Sequence, residues 1–367
     1  MTEHSIARHN IFVLTTAQAL GAASPPIIIS LGGLVGQQLA SDPALVTLPV
    51  SLFNLGLAMG TLPAAFVMRG MGRRRGYLLG AGFGITSGLV AAYGIASLSF
   101  MIFCLGTFIA GFYGAYVQSY RFAAADGVEG ALKVKAISWV MIGGLIAAII
   151  GPQIVIWTRD ALPDTPYAGS FLAQAGLAML AVPVLLMLRT PKAAARGAGT
   201  DAGRPLMQIL RQPRYVLAVS AGVVSYGLMV FIMTAAPIAM VGHGHSVDHA
   251  ALGIQWHVLA MFAPSFVTGH LMARFGKERV TAAGLLLIAL SGAVALAGLG
   301  LWHFWVSLVL LGVGWNFGFI GATAMAGVIG AEHPELWGGL VDLPTGHWPM
   351  WSRPEELAEI IAQAANE

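Results

Sequence analysis

Apolar residues run along this chain in long stretches separated by short polar turns. The stretches cover roughly 11–36, 44–68, 77–97, 99–120, 136–157, 169–188, 215–241, 251–273, 280–300 and 302–329. Each approaches the ~20 apolar residues that a helix needs to cross the hydrocarbon core of a bilayer. In lipid the backbone must satisfy its own hydrogen bonds, so segments of this kind fold as helices. The pattern predicts an all-α integral membrane protein with ten spans. One long polar linker, 189–214, is rich in Ala, Gly, Arg and Lys. It separates a six-helix half, 1–188, from a four-helix remainder, 215–331, and a polar tail follows at 332–367.

Composition agrees with this pattern. Of 367 residues 57% are hydrophobic and 10% charged, where a soluble domain carries about 25% charged residues. The 47 glycines suit close helix–helix contacts in lipid. A pI near 9.1 could suggest a nucleic-acid partner, but the basic residues sit in short loops and act as topology determinants. Arg8, Arg69, Arg73, Arg74, Arg75, Arg121, Lys133, Lys135, the linker cations, Arg274, Lys277 and Arg279 share one side if every stretch crosses once; only Arg159 falls on the other. The positive-inside rule then makes the N-terminus and linker cytoplasmic, as in a multi-pass protein of a bacterial inner membrane. The first apolar stretch is too long for a cleavable signal peptide. The lone cysteine, Cys104, excludes an internal disulfide and a thiolate cluster.

The chain repeats itself at an offset of 204 residues. Gly72 pairs with Gly276, Gly80 with Gly284, Ser87-Gly88 with Ser291-Gly292, Gly94 with Gly298 and Gly114 with Gly318. Arg73 and Arg75 likewise match Lys277 and Arg279. Parallel halves joined by a cytoplasmic linker resemble the major facilitator superfamily, as do the loops at 68–76 (MRGMGRRRG) and 269–279 (GHLMARFGKER) and the pair Gly151-Pro152. Both loops lack that family's usual acidic residue, with Arg69 and Ala273 near its place. In the repeat register the fifth helix of the second half would fall at 341–360, a stretch too polar and Pro-rich to span lipid. The expectation is a second half truncated at four helices, with a foreign tail joined near Glu332 by gene fusion or sequence assembly. The tail, Gly346-His347-Trp348-Pro349 followed by SRPEELAEIIAQAA, resembles the C-terminal end of an α/β-hydrolase. The chain has no G-x-S-x-G elbow, so His347 has no serine to serve and no enzymatic activity or cofactor is expected.

Candidate chemistry lies in the seventh and eighth stretches. Met229 and Met233 are four residues apart, and so are His257 and Met261; that spacing puts each pair on one helix face. Thioethers and a neutral imidazole suit Cu(I) better than hard cations or organic anions. Packing methionines and a histidine bonded to a helix carbonyl are the structural alternatives. The run 228–266 resembles the CcoA-type copper importers, a bacterial branch of the major facilitator superfamily, in its MxxxM and HxxxM motifs; Tyr120–Asp126 resembles the same branch. The likeness covers roughly 8–330. It implies copper import by a single chain, with cytoplasmic copper acceptors as partners and supply to haem-copper oxidase assembly. His243, His245 and His249 form a loop cluster that could capture metal before entry. Asp126, Glu129, Lys133 and Lys135 are expected in gating contacts, Cys104 as an inert thiol, and Trp302, Trp305 and Trp315 as interfacial or packing aromatics. Two other expectations stand beside copper import. One is a proton-coupled facilitator of a small organic substrate or drug, with His257 as the coupling group. The other is a fragment without transport function.

Overall fold

The computed structural model describes residues 3–125, 131–189 and 212–331. Among them there is no strand; helices account for the structure. Helix α1 (Glu3–Gly21) and α2 (Ser24–Leu39) form the first span, followed by α3 (Leu48–Met71), α4 (Arg73–Ala96) and α5 (Phe100–Gln118) with its short continuation α6 (Tyr120–Ala125). Helices α7 (Ala131–Thr158) and α8 (Ala168–Leu186) complete the part before the linker. After it come α9 (Pro213–Gly242), the pair α10 (Val247–Phe262) and α11 (Ser265–Phe275), α12 (Lys277–Ala297) and α13 (Leu301–Ala331). Nine described segments are long and apolar enough to cross a membrane, or ten with α10 and α11 taken as one bent span. The ten stretches of the sequence, six before the linker and four after, are therefore found as helices.

Local chemistry explains where helices start and bend. Pro25 and Pro26 open α2, where a missing N–H costs nothing because first-turn donors lack helical partners. Pro264 has no N–H to continue the ladder, and α10 and α11 meet at a 44° bend there. Gly72 and Gly276, equivalent in the repeat, link α3 to α4 and α11 to α12. Their φ values are +83° and +89°, with ψ of 159° and 151°, a region essentially reserved for glycine.

Packing divides the chain into two compact units, one of Met1–Pro191 with Met233–Val258 and the other of Lys192–Ile232 with Leu259–Glu367. In the first, one cluster gathers Leu14, Ala17, Tyr77, Tyr113, Tyr120 and Leu185. A second cluster joins Ile27, Leu31, Phe53, Phe103 and Phe171 to Ala251 of α10, with Val241 and Val247 against it. Gly80 lets α4 approach α5: an added Cβ would lie 2.7 Å from the Tyr116 ring. In the second unit its counterpart Gly284 plays the same part between α12 and α13, where a Cβ would lie 2.7 Å from the Gly314 carbonyl. Small residues at such contacts let helix backbones pack without side chains between them.

The hydrolase resemblance of the tail is not upheld. The described fold is wholly helical and contains none of the sheet that such an enzyme needs, and 332–367, His347 included, lies outside the described residues. A short likeness of 20 or so residues around one histidine carries little information about fold, because a final amphipathic helix occurs in many unrelated chains.

Candidate functional site

In the first unit, α10 meets the chain's N-terminal half through polar contacts at two levels. At the ends of the helices, Arg159 Nη1 lies 3.0 Å from Asp248 Oδ1, while its Nε donates to Asp160 Oδ2 at 2.8 Å. The approach to Asp248 is a pairing of charges and not an aligned hydrogen bond, since Oδ1 has no such partner. The loop behind Arg159 is held by Tyr167, whose backbone N–H donates to the Arg159 carbonyl at 2.7 Å from a left-handed conformation (φ 71°). Burial pushes the Tyr167 phenol above its usual pKa, against the opposing pull of the Arg159 guanidinium. Deeper in the span, Gln153 Nε2 donates to Gln255 Oε1 at 3.1 Å. His257, two residues on, is fully buried at 0% exposure.

The second unit holds a polar knot beside an aromatic wall. Asn316 of α13 is fully buried and makes three side-chain hydrogen bonds. Its Nδ2 donates to the Met261 carbonyl at 2.6 Å and to Ser265 Oγ at 2.7 Å; its Oδ1 accepts from Thr268 Oγ1 at 2.6 Å. These partners lie on both sides of the bend at Pro264, and one of them, the Met261 carbonyl, is a backbone acceptor that Asn316 satisfies where the helix is interrupted. One residue before it, Trp315 stacks on Phe319 with centroids 5.0 Å apart and planes at 10°. Phe262 meets Trp315 edge-on at 6.0 Å, and Tyr226 lies 5.8 Å from Phe319. Trp315 is only 7% exposed, and its indole N–H has no hydrogen-bond acceptor among the described residues. A planar ring system with acceptor atoms would find here both a stacking surface and a donor.

In every described span the Asp, Glu, Lys and Arg residues lie within about one helical turn of the span's end. Between those ends the described spans carry amides, hydroxyls, thioethers, aromatic rings and the His257 imidazole.

The candidate ligands of the sequence fall as follows. Met229 and Met233 are buried on α9, and His257 and Met261 are buried on α10. Met233 and His257 pack in the first compact unit, Met229 and Met261 in the second. Around the loop histidines His243, His245 and His249, as elsewhere among the described residues, no group of three or more His, Cys, Asp or Glu is placed to hold a metal. His243 Nδ1 is 2.7 Å from the Ala239 carbonyl, and the turn at Gly244 (φ 85°) separates it from His249 on α10. Cys104 is buried, and Trp302, 71% exposed, meets Trp305 edge-on at 5.6 Å. Asp126 and Glu129 lie outside the described residues, as do the side chains of Lys133 and Lys135. Sequence reasoning missed Asn316, the Gln153–Gln255 pair and Arg159. The last had a signal, as the single basic residue on the otherwise cation-poor side.

The Major Facilitator Superfamily profile matches residues 11–333. The chain is 69% identical over 326 residues to the riboflavin transporter RfnT of Brucella anthropi, covering 89% of this chain and 82% of that protein. It is 30% identical over 342 residues to YdeG of Bacillus subtilis, an uncharacterised transporter of major facilitator type, covering 88% of this chain and 79% of that one. Among solved structures, the nucleoside transporter NupG superposes with a TM-score of 0.67 at 14% identity, over 96% of this chain and 87% of that one. The xylose transporter XylE of E. coli superposes with a TM-score of 0.65 at 14% identity, over 99% and 97%.

These likenesses overturn the copper assignment. The transporter that is 69% identical to this chain over 326 residues is named for riboflavin, and no group of three or more His, Cys, Asp or Glu that could hold a metal occurs among the described residues. The resemblance to copper importers, copper as cargo, cytoplasmic copper acceptors and a link to haem-copper oxidase assembly fall together. Two methionines one turn apart are an ordinary way to fill an apolar helix face, since the flexible thioether adapts to irregular gaps. With copper set aside as cargo, Met229, Met233, His257 and Met261 stand as buried side chains of α9 and α10.

Proposed function

The chain belongs to the major facilitator superfamily, and from that premise we propose that it carries a neutral, planar heteroaromatic solute of the riboflavin type across the bacterial inner membrane. The observation that supports this most is the 69% identity to a riboflavin transporter over 326 residues. The aromatic wall of Trp315, Phe319, Phe262 and Tyr226 is consistent with it. Stacking on such rings is worth about 0.5–1.5 kcal/mol beyond area burial. The lack of full charge inside the spans suits a cargo that is uncharged at neutral pH. In this reading the basic loops favour a cytoplasmic N-terminus and linker, and the two repeat halves would supply alternating access. His257, the buried ionisable side chain of α10, is the group assigned to proton coupling, since an ionisable residue within a span marks a pathway by default.

The test is growth rescue. A riboflavin auxotroph that lacks its own uptake system should grow on micromolar riboflavin when it expresses this chain. Failure to grow, with the chain shown to be inserted in the membrane, would reject the cargo.

A further inference from the structure

We propose that the paired amides of Gln153 and Gln255 recognise the imide edge of the cargo's ring system, an inference that rests on the flavin-type cargo proposed above. The two side chains come from α7 and α10, within one compact unit, and are joined by the 3.1 Å bond from Gln153 Nε2 to Gln255 Oε1. That bond uses one donor and one acceptor. It leaves Gln153 Oε1 as an acceptor beside the Gln255 amide N–H donors.

An amide inside a span is costly unless its hydrogen bonds are met. Neither glutamine is sealed: both keep intermediate exposure, and none of their amide atoms is buried without a partner. Polar side chains at this depth face the bundle interior or a watered cavity and not lipid. The unused half of the pair is thus presented where a solute can reach it. An acceptor beside a donor complements a cyclic imide, whose ring N–H lies next to a carbonyl. Gln153 Oε1 would take the ring N–H, and Gln255 Nε2 would donate to the neighbouring carbonyl. Arg159 and Asp248 close the same two helices about two turns further along.

The experiment compares uptake of riboflavin and its N3-methyl derivative by the full chain in proteoliposomes. Methylation removes the ring N–H and leaves the rest of the cargo intact. The unmodified chain should prefer riboflavin by about tenfold, the worth of one buried hydrogen bond. Gln153→Leu and Gln255→Leu should bring that ratio toward one by lowering riboflavin uptake. If either variant fails to insert, Gln255→Met, close in volume, replaces it. A pair that serves only to hold the helices together would lower uptake of both compounds equally and keep the ratio. That outcome, or equal handling of the two compounds by the unmodified chain, overturns this inference and leaves the cargo proposal standing. No riboflavin uptake by the unmodified chain overturns both.

Discussion

Asn316 Nδ2 donates to the backbone carbonyl of Met261 at 2.6 Å, so a side chain of α13 supplies the bond that the α10 ladder loses at its bend. The same amide also holds Ser265 and Thr268. Asn316→Leu keeps the side-chain branching but takes the donor from the buried Met261 carbonyl and removes the bonds to Ser265 and Thr268, at a cost of ~1–3 kcal/mol. Thermal unfolding in detergent should show a clear drop in midpoint for this variant. Thr323→Val, at an exposed site whose hydroxyl bonds only its own helix, should leave the midpoint unchanged.

Gly72 and Gly276 occupy a backbone region that other residues enter only with strain. Gly72→Ala and Gly276→Ala should each lower stability by about 1–3 kcal/mol. Gly82→Ala, in the open middle of a helix, should be neutral or slightly stabilising. Equal midpoints for all three would show that the two links are not strained.

Arg159 and Asp248 are partly exposed, with side chains 20% and 38% accessible, so their pairing carries less than about 1 kcal/mol. Its expected effect is on opening and not on folding. In a Cys104→Ala background, a cysteine placed at the buried Ala251 should react with a water-soluble maleimide up to about fivefold faster when Asp248 is changed to Asn. Exchanging the charges, Arg159→Asp with Asp248→Arg, should restore slow labelling. No change in rate would exclude the pair as a latch.

Trp315 offers a ring face and an indole donor. Trp315→Ala should raise the KM for riboflavin about 2- to 12-fold through lost stacking. Trp315→Phe should recover part of it, because the stack is kept while the donor is not. Equal KM values in the unmodified chain and both variants would remove the ring from the site.

How much of this was legible in the sequence differs from residue to residue. The spans were, because the hydrocarbon thickness sets their length and their composition. So was the kinship of Gly72 and Gly276, which share a backbone conformation as well as a register. The 44° bend was not: 251–273 reads as one apolar run, and Pro264 alone does not say whether a helix kinks or stops. Asn316 was passed over because one amide among apolar residues shows no partner until α10 and α13 are packed. The copper cargo was misjudged for the opposite reason. Spacing places two side chains on one face, yet says nothing about what that face meets or carries.

The most direct measurement is uptake of radiolabelled riboflavin by proteoliposomes that contain the purified chain. The account predicts saturable uptake above empty liposomes, competed by unlabelled riboflavin and indifferent to copper chelators, with proton-driven accumulation lost in His257→Ala while exchange continues. Correctly inserted protein that moves no riboflavin would contradict it.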